Sequence, residues 1–147
     1  MGRQLLILAC SKEKKKVRGK IPAIERYEGF FFKIAKKMMR EGKFPSSVDI
    51  LIISAKYGLL KPHELIENYD LKMDKRRAME LKGEILRELK EEIEKNNYDE
   101  IFVCVGKEYI MSIKGIERFA RVVYAEGRIG EKGRELRRWL EKKRPSR

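Results

Sequence analysis

Val48-Asp49-Ile50-Leu51-Ile52-Ile53-Ser54-Ala55-Lys56-Tyr57-Gly58-Leu59-Leu60-Lys61-Pro62 is the stretch that decides the fold class. Val48 to Ile53 is an apolar, β-branched run of strand length, of the kind found in strands covered on both faces. It stops at small and polar residues, then Gly58 and Pro62. In α/β proteins, ligands sit at the carboxyl ends of such strands. Here that end carries a hydroxyl, an ammonium and a phenol, from Ser54, Lys56 and Tyr57. An extended loop is expected from there to about Met73.

Working outward, three more apolar runs have the same character: Leu5–Ala9, Ile101–Val105 and Phe119–Tyr124. Between them, apolar residues recur at helical spacing. The first set is Tyr27, Phe30, Phe31, Ile34, Ala35 and Met38, closed by Gly42. The second, over Arg77–Lys95, is Ala78, Leu81, Ile85, Leu86, Leu89 and Ile93, stopped by Asn96-Asn97. Lys107 to Ile113 fits one short helix, broken by Gly115, and Glu131 to Lys142 a last one that packs Leu136, Trp139 and Leu140. Strands alternating with helices predict a three-layer α/β domain. Its expected sheet is four-stranded and mostly parallel, with helices on both faces and right-handed crossovers.

The 147 residues make one domain, 1–147, with 143–147 as a basic tail. The net charge of +13 is uneven: residues 1–20 and 128–147 each carry +6, while 21–127 carry +1. Such ends favour polyanions or the phosphates of a small ligand; they equally make a soluble surface. Abundant Lys and Glu with a single Gln suggest a thermophile. No run is long enough to span a membrane, and the N-terminal run is too short for a signal peptide, so a cytoplasmic protein is expected. Cys10 and Cys104 stand in apolar runs with no metal-ligand spacing. Buried inert thiols are the plain reading, and a reactive Cys10 beside Ser11 and Lys12 the sharper one. No metal or cofactor is called for.

In a parallel sheet the four strand ends share one edge. Their loops are Cys10–Lys16, Ser54–Leu60, Gly106–Tyr109 and Ala125–Gly130. Gly58, Gly106, Gly127 and Gly130 allow close backbone approach. Gly106-Lys107 and Gly130-Glu131 each open a helix, whose free N–H groups favour an anion. Lys12, Lys56, Lys107 and Arg128 would neutralise it. Tyr57 and Tyr69 flank one loop and could stack on a base; Asp70 is a carboxylate for holding Lys56 or a ribose hydroxyl. The only histidine, His63, reads as an exposed loop residue. Ile113–Glu117 faintly echoes a helix-hairpin-helix, with Glu117 where that pattern wants a glycine. There is no Walker or GxGxxG pattern, so the case for a phosphate or nucleotide pocket rests on placement.

Leu-Ile-Leu-Ala-Cys-Ser-Lys (6–12), Ser-Ala-Lys-Tyr-Gly-Leu-Leu-Lys-Pro (54–62), Asn-Tyr-Asp-Leu-Lys-Met (68–73) and Gly-Arg-Ile-Gly-Glu-Lys (127–132) resemble two related groups. One is a family of short domains of unknown function with Cys-Ser-Lys and Ser-Ala-Lys-Tyr-Gly-Leu signatures, similar over nearly the whole chain. The other is the YaaA peroxide-stress family, similar chiefly over 54–73 and around Ser11-Lys12. The resemblance implies an α/β domain with its site at Ser11, Lys12, Ser54, Lys56, Tyr57, Gly58 and Tyr69-Asp70. It also implies a link to DNA, to oxidative damage or to base modification, including that of deazaguanines. The chain is far shorter than YaaA proteins, and the stretch from Lys12 to Ser54 leaves little room for a DNA-binding hairpin.

The expected function is that of an enzyme directed at a nucleobase, nucleotide or nucleic-acid base. Lys12, Lys56, Tyr57 and Ser11 are its catalytic candidates. Cys10, Ser54, Gly58, Tyr69, Asp70, Gly106, Lys107, Gly127, Arg128 and Gly130 are its ligand-binding candidates. Ser11 or Cys10 would be the nucleophile, with Lys12 the alternative. The competing reading is a non-enzymatic DNA- or RNA-binding protein of stress protection.

Overall fold

The computed structural model of the chain describes residues 2–143; Met1 and the tail residues 144–147 lie outside the described residues. Seven strands and five helices follow in order: β1 (Arg3–Ala9), β2 (Ile21–Pro22), α1 (Ala23–Arg26), α2 (Phe30–Arg40), β3 (Val48–Ser54), β4 (Gly58–Leu60), β5 (Leu65–Ile66), α3 (Lys75–Asn96), β6 (Tyr98–Cys104), α4 (Lys107–Ile110), β7 (Val122–Tyr124) and α5 (Ile129–Lys143). Two 3-10 turns, Met111–Ile113 and Ile116–Arg118, link α4 to β7.

The main sheet has five strands in the order β4-β3-β1-β6-β7. β1 pairs in parallel with β3 (Leu6 opposite Ile50) and with β6 (Leu6 opposite Phe102), and β6 pairs in parallel with β7. Leu5, Leu6, Ile7 and Leu8 of central β1 are all fully buried, which explains a run with no polar alternation. The chain steps from β1 to β3 in one direction and from β3 across to β6 in the other. Right-handed crossovers then put α2 and α3 on opposite faces. α5 returns to the α2 face, where a Cβ on Gly133 would overlap the Phe30 ring.

The four-stranded sheet needs correction. A fifth strand, β4, runs antiparallel to β3, with Ser54 opposite Gly58 and Ile52 opposite Leu60. The loop expected after Ser54 is therefore a hairpin. Gly58 takes φ +79°, which side-chain-bearing residues avoid, and Ser54 Oγ accepts the N–H groups of Lys56 (3.2 Å) and Tyr57 (3.0 Å). A separate ribbon joins β2 to β5. Phe119–Tyr124 shortens to β7, Val122–Tyr124, and Phe119 is held by the preceding 3-10 turn, its N–H on the Ile116 carbonyl at 3.0 Å. Of the first helical pattern, Tyr27 stands outside α2, which starts at Phe30 and is preceded by the unexpected short α1, and α5 starts two residues before Glu131.

Among the described residues no helix is long and apolar enough to cross a membrane.

Candidate functional site

β1 and β6 are neighbours whose onward connections leave in opposite directions, which is where doubly wound sheets open a crevice. A cleft of about 390 Å³ lies there. Its floor is Ala9, Cys10, Cys104 and Val105 at the strand ends. Phe30 and Phe31 form an apolar wall from the start of α2, and Phe30 is 44% exposed. The rim carries Lys12, Lys14 and Lys72 together with Glu13, Asp70 and Glu108. Three ammonium groups thus face three carboxylates, so the rim as a whole is balanced rather than cationic.

Each hydroxyl and thiol near the floor has a defined partner. Ser11 Oγ donates to the Glu13 carbonyl at 2.8 Å and accepts the Gly29 N–H at 3.0 Å, tying the β1 loop to the start of α2. Tyr109 Oη donates to the Cys10 carbonyl at 2.9 Å, which leaves the Cys10 thiol to donate to Tyr109 Oη at 3.0 Å. The Ala55 N–H also points at Cys10 Sγ, at 3.5 Å. Burial first, and the neighbouring Cys10 next, push the Tyr109 phenol up, so it stays protonated. Burial likewise pushes the Cys104 thiol up to about 12.

Beside the cleft, Lys14, Lys56, Tyr57 and Tyr69 form a second group. The Lys14 ammonium lies 4.6 Å from the Tyr69 ring centroid and that of Lys56 5.9 Å. Tyr57 meets Tyr69 edge-on at 5.6 Å. Beneath them, fully buried Ser54 and Tyr27 bond to Tyr69 Oη at 2.8 and 2.6 Å.

The structure therefore places Cys10, Ser11, Lys12, Asp70 and Gly106 in the cleft wall, and Ser54, Lys56, Tyr57 and Tyr69 in the adjoining group. Gly58 serves the hairpin turn. Lys107 faces a separate hollow with Lys75, Lys114 and Tyr124. Gly127, Arg128 and Gly130 do not line the cleft; from that loop only Ile129 does. The start of α5 is already occupied by the chain's own carboxylates. Glu131 accepts the Arg128 N–H at 2.9 Å, and Glu135 accepts that of Glu126. Gly106 opens only one turn of α-helix, and a Cβ there would meet the Glu108 carboxylate at 2.5 Å. His63 is exposed. Ile113–Glu117 forms parts of two 3-10 turns around Gly115 at φ +107°.

Several contributors escape sequence reasoning. Phe30 and Phe31 carried a signal: three consecutive Phe cannot all face one side of a helix, and only Phe32 is buried in the core. Arg77, on α3, clamps the β3–β4 turn by donating to the carbonyls of Ala55 (2.6 Å) and Lys56 (3.2 Å). Arg26 is fully buried and donates to the carbonyls of Lys15, Val17, Gly19 and Ile66. It anchors the loop that carries Lys12 and Lys14. Neither arginine has a sequence signal. Among the described residues no group of three His, Cys, Asp or Glu is placed to hold a metal.

The fold is similar to that in a crystal structure of AF0587, described as a protein of unknown function, with TM-score 0.59 and 17% identity. The match covers 95% of this chain but 45% of that one, so the chain spans less than half the length of this neighbour. No curated protein matches the chain. Residues 5–139 match a family of unknown function, DUF6884. By that match, which takes in every strand end of the cleft, the chain belongs to the DUF6884 family.

Proposed function

We propose that the protein is an enzyme acting on a nucleobase, a nucleotide or a base of nucleic acid in the cleft between β1 and β6. The observation that carries this reading is the cleft itself. It lies at the reversal point of the sheet and has the volume of a small-ligand site at about 390 Å³. It sets exposed Phe30 and half-buried Phe31 beside lysines, as a flat aromatic ligand bearing an anionic group requires. The resemblance of the stretches 6–12 and 54–62 to families tied to base modification and peroxide stress supports the same substrate class.

Roles follow from which groups are free. The Ser11 hydroxyl and the Cys10 thiol are engaged within the protein, whereas Lys12 has no hydrogen-bond or ion-pair partner among the described residues. Lys12 is thus the best-placed nucleophile or stabiliser of developing negative charge. Cys10 can act only after its proton passes to the ligand, since the Tyr109 phenol keeps its own. Lys56 and Tyr57 hold the ligand's outer part.

The test is a binding panel of free bases, nucleosides, nucleotides, duplex and single-stranded DNA, and tRNA at several salt concentrations. Saturable binding of one base or nucleotide, lost in Lys12→Ala with an unchanged melting temperature, supports the enzyme. The second reading, a DNA- or RNA-binding protein of stress protection, rests on the exposed basic loop Lys15–Lys20 and on exposed Arg134, Arg138 and Lys142 of α5. It requires tight polymer binding with a steep salt slope, unchanged by Lys12→Ala and weakened by removing residues 143–147.

A further inference from the structure

The hydroxyls of Ser54, Tyr27 and Tyr69 can be assigned directions by counting protons. Ser54 Oγ accepts two N–H groups, from Lys56 and Tyr57, which fills its lone pairs. Its own O–H must therefore donate to Tyr69 Oη, 2.8 Å away. Tyr27 is fully buried, and among the described residues its Oη has Tyr69 Oη, at 2.6 Å, as its one hydrogen-bond partner. A buried hydroxyl proton left without an acceptor is costly, so Tyr27 donates to Tyr69 as well. Burial pushes both phenols up, and each keeps its proton. Tyr69 Oη then accepts two hydrogen bonds, and its own proton has no acceptor among the described residues.

Two ammonium groups lie near the ring that carries that surplus donor. Lys14 and Lys56 both place their ammonium groups near the Tyr69 ring, at 4.6 and 5.9 Å from its centroid. Neither is in an ion pair among the described residues. Two like charges held around one phenol repel unless something negative joins them. Tyr69 is half-buried, and Lys14 also lines the cleft, so the group opens beside it.

We propose that Tyr69, Lys14 and Lys56 form a phosphate subsite beside the cleft, in which Tyr69 Oη donates to a phosphate oxygen and the two lysines neutralise its charge. A phosphomonoester matches the group in carrying close to two negative charges and several acceptor oxygens. Ser54 and Tyr27 are positioning residues: they fix the phenol by donating to it and so leave its own proton without an acceptor among the described residues. The subsite differs from the anion pocket expected at the helix starts of Gly106 and Gly130. It rests on the nucleotide reading only for what carries the phosphate.

The test titrates the full chain with inorganic phosphate, a free nucleoside and the corresponding nucleoside monophosphate, following backbone amide shifts and calorimetric heat. Inorganic phosphate is expected to bind saturably and to shift the amides around Lys14, Lys56 and Tyr69. Tyr69→Phe, which keeps the ring, should weaken it about tenfold or more, as loss of a charge-assisted hydrogen bond does. Lys14→Ala should weaken it similarly, and Tyr27→Phe should weaken it less, by about threefold, because Ser54 still donates to the Tyr69 phenol but no longer holds it from two sides. Phosphate binding that is absent in the wild type, or equal in wild type, Tyr69→Phe and Lys14→Ala, overturns the subsite. Should Tyr69→Phe fail to fold, Lys14→Ala decides alone. A nucleoside that binds the cleft while phosphate does not bind would sink the subsite and leave the nucleotide-directed reading standing. Phosphate binding with no nucleoside binding would do the reverse.

Discussion

Replacing Arg26 by Met tests how a fully buried guanidinium, with no carboxylate partner among the described residues, supports the site. Its Nη1 donates to the carbonyls of Lys15 (2.5 Å) and Val17 (3.0 Å), and its Nη2 to those of Gly19 (2.7 Å) and Ile66 (3.2 Å). Hydrogen bonds to a charged group contribute about 1.5–3 kcal/mol each, so the gross loss is large. Two effects offset it. Burying the guanidinium costs several kcal/mol that the variant recovers. The carbonyls of exposed Lys15, Val17 and Gly19 can also turn to water. Ile66 is 2% exposed, so its carbonyl, which keeps only the Ile21 N–H of the β2–β5 ribbon, cannot turn to water and loses a bond contributing about 1.5–3 kcal/mol. The net expectation is a destabilisation of about 2–4 kcal/mol, felt first as opening of residues 15–19. Trypsin should then cut at Lys15, Lys16 and Arg18 about 30-fold faster or more, with a lowered urea midpoint. Arg26→Lys should recover part of the loss. Wild-type cleavage rates and midpoint in Arg26→Met would refute the reasoning, because the loop would then hold without the guanidinium.

A Cβ at residue 29 would lie 2.5 Å from Ser11 Cβ and 2.9 Å from its Oγ. Gly29→Ala should therefore push the Cys10–Glu13 loop outward, costing about 1–3 kcal/mol by overpacking and weakening cleft ligands; a melting curve and the binding panel check it. With the Cys104 thiol pushed up to about 12 by burial, native protein at pH 8 should leave Cys104 unlabelled by iodoacetamide, and denatured protein should label it, as peptide mass mapping would show. Burial works against the Glu100 carboxylate, but Lys143 (2.8 Å) and the Trp139 N–H (2.7 Å) outweigh it and hold its pKa below the ordinary 4.5. Its stabilisation is present above that ordinary value and lost as pH falls through the lower folded one. Glu100→Gln should cost about 1 kcal/mol at pH 7 and nothing below both values, read from urea unfolding across pH.

Much of the fold was legible because its signal is local. The unbroken apolar runs at Leu5–Ala9, Val48–Ile53 and Ile101–Val105 mark strands covered on both faces, and the burial of Leu5 to Leu8 shows why. Ala78, Leu81, Ile85, Leu89 and Ile93 share a helix stripe that needs nothing beyond the 3.6-residue period. β4 was not legible. Its three residues carry no strand pattern of their own and pair only because Gly58 turns the chain back onto β3.

The site divides along the same line. Cys10, Ser11 and Lys12 could be found because they follow the first strand, and strand ends of a parallel sheet share an edge. That the Ala125–Gly130 loop contributes only Ile129 could not be found, since it depends on how Glu131 and Glu135 fold back over the start of α5. By itself the sequence determined the elements, their alternation and the edge where the strands end, because hydrophobic period and turn chemistry act over a few residues. Tertiary structure alone decided which side chains meet. Cys10 reaches Tyr109 across 99 residues, and Tyr27 reaches Tyr69 across 42, through strand order and loop anchoring that no short window of sequence contains.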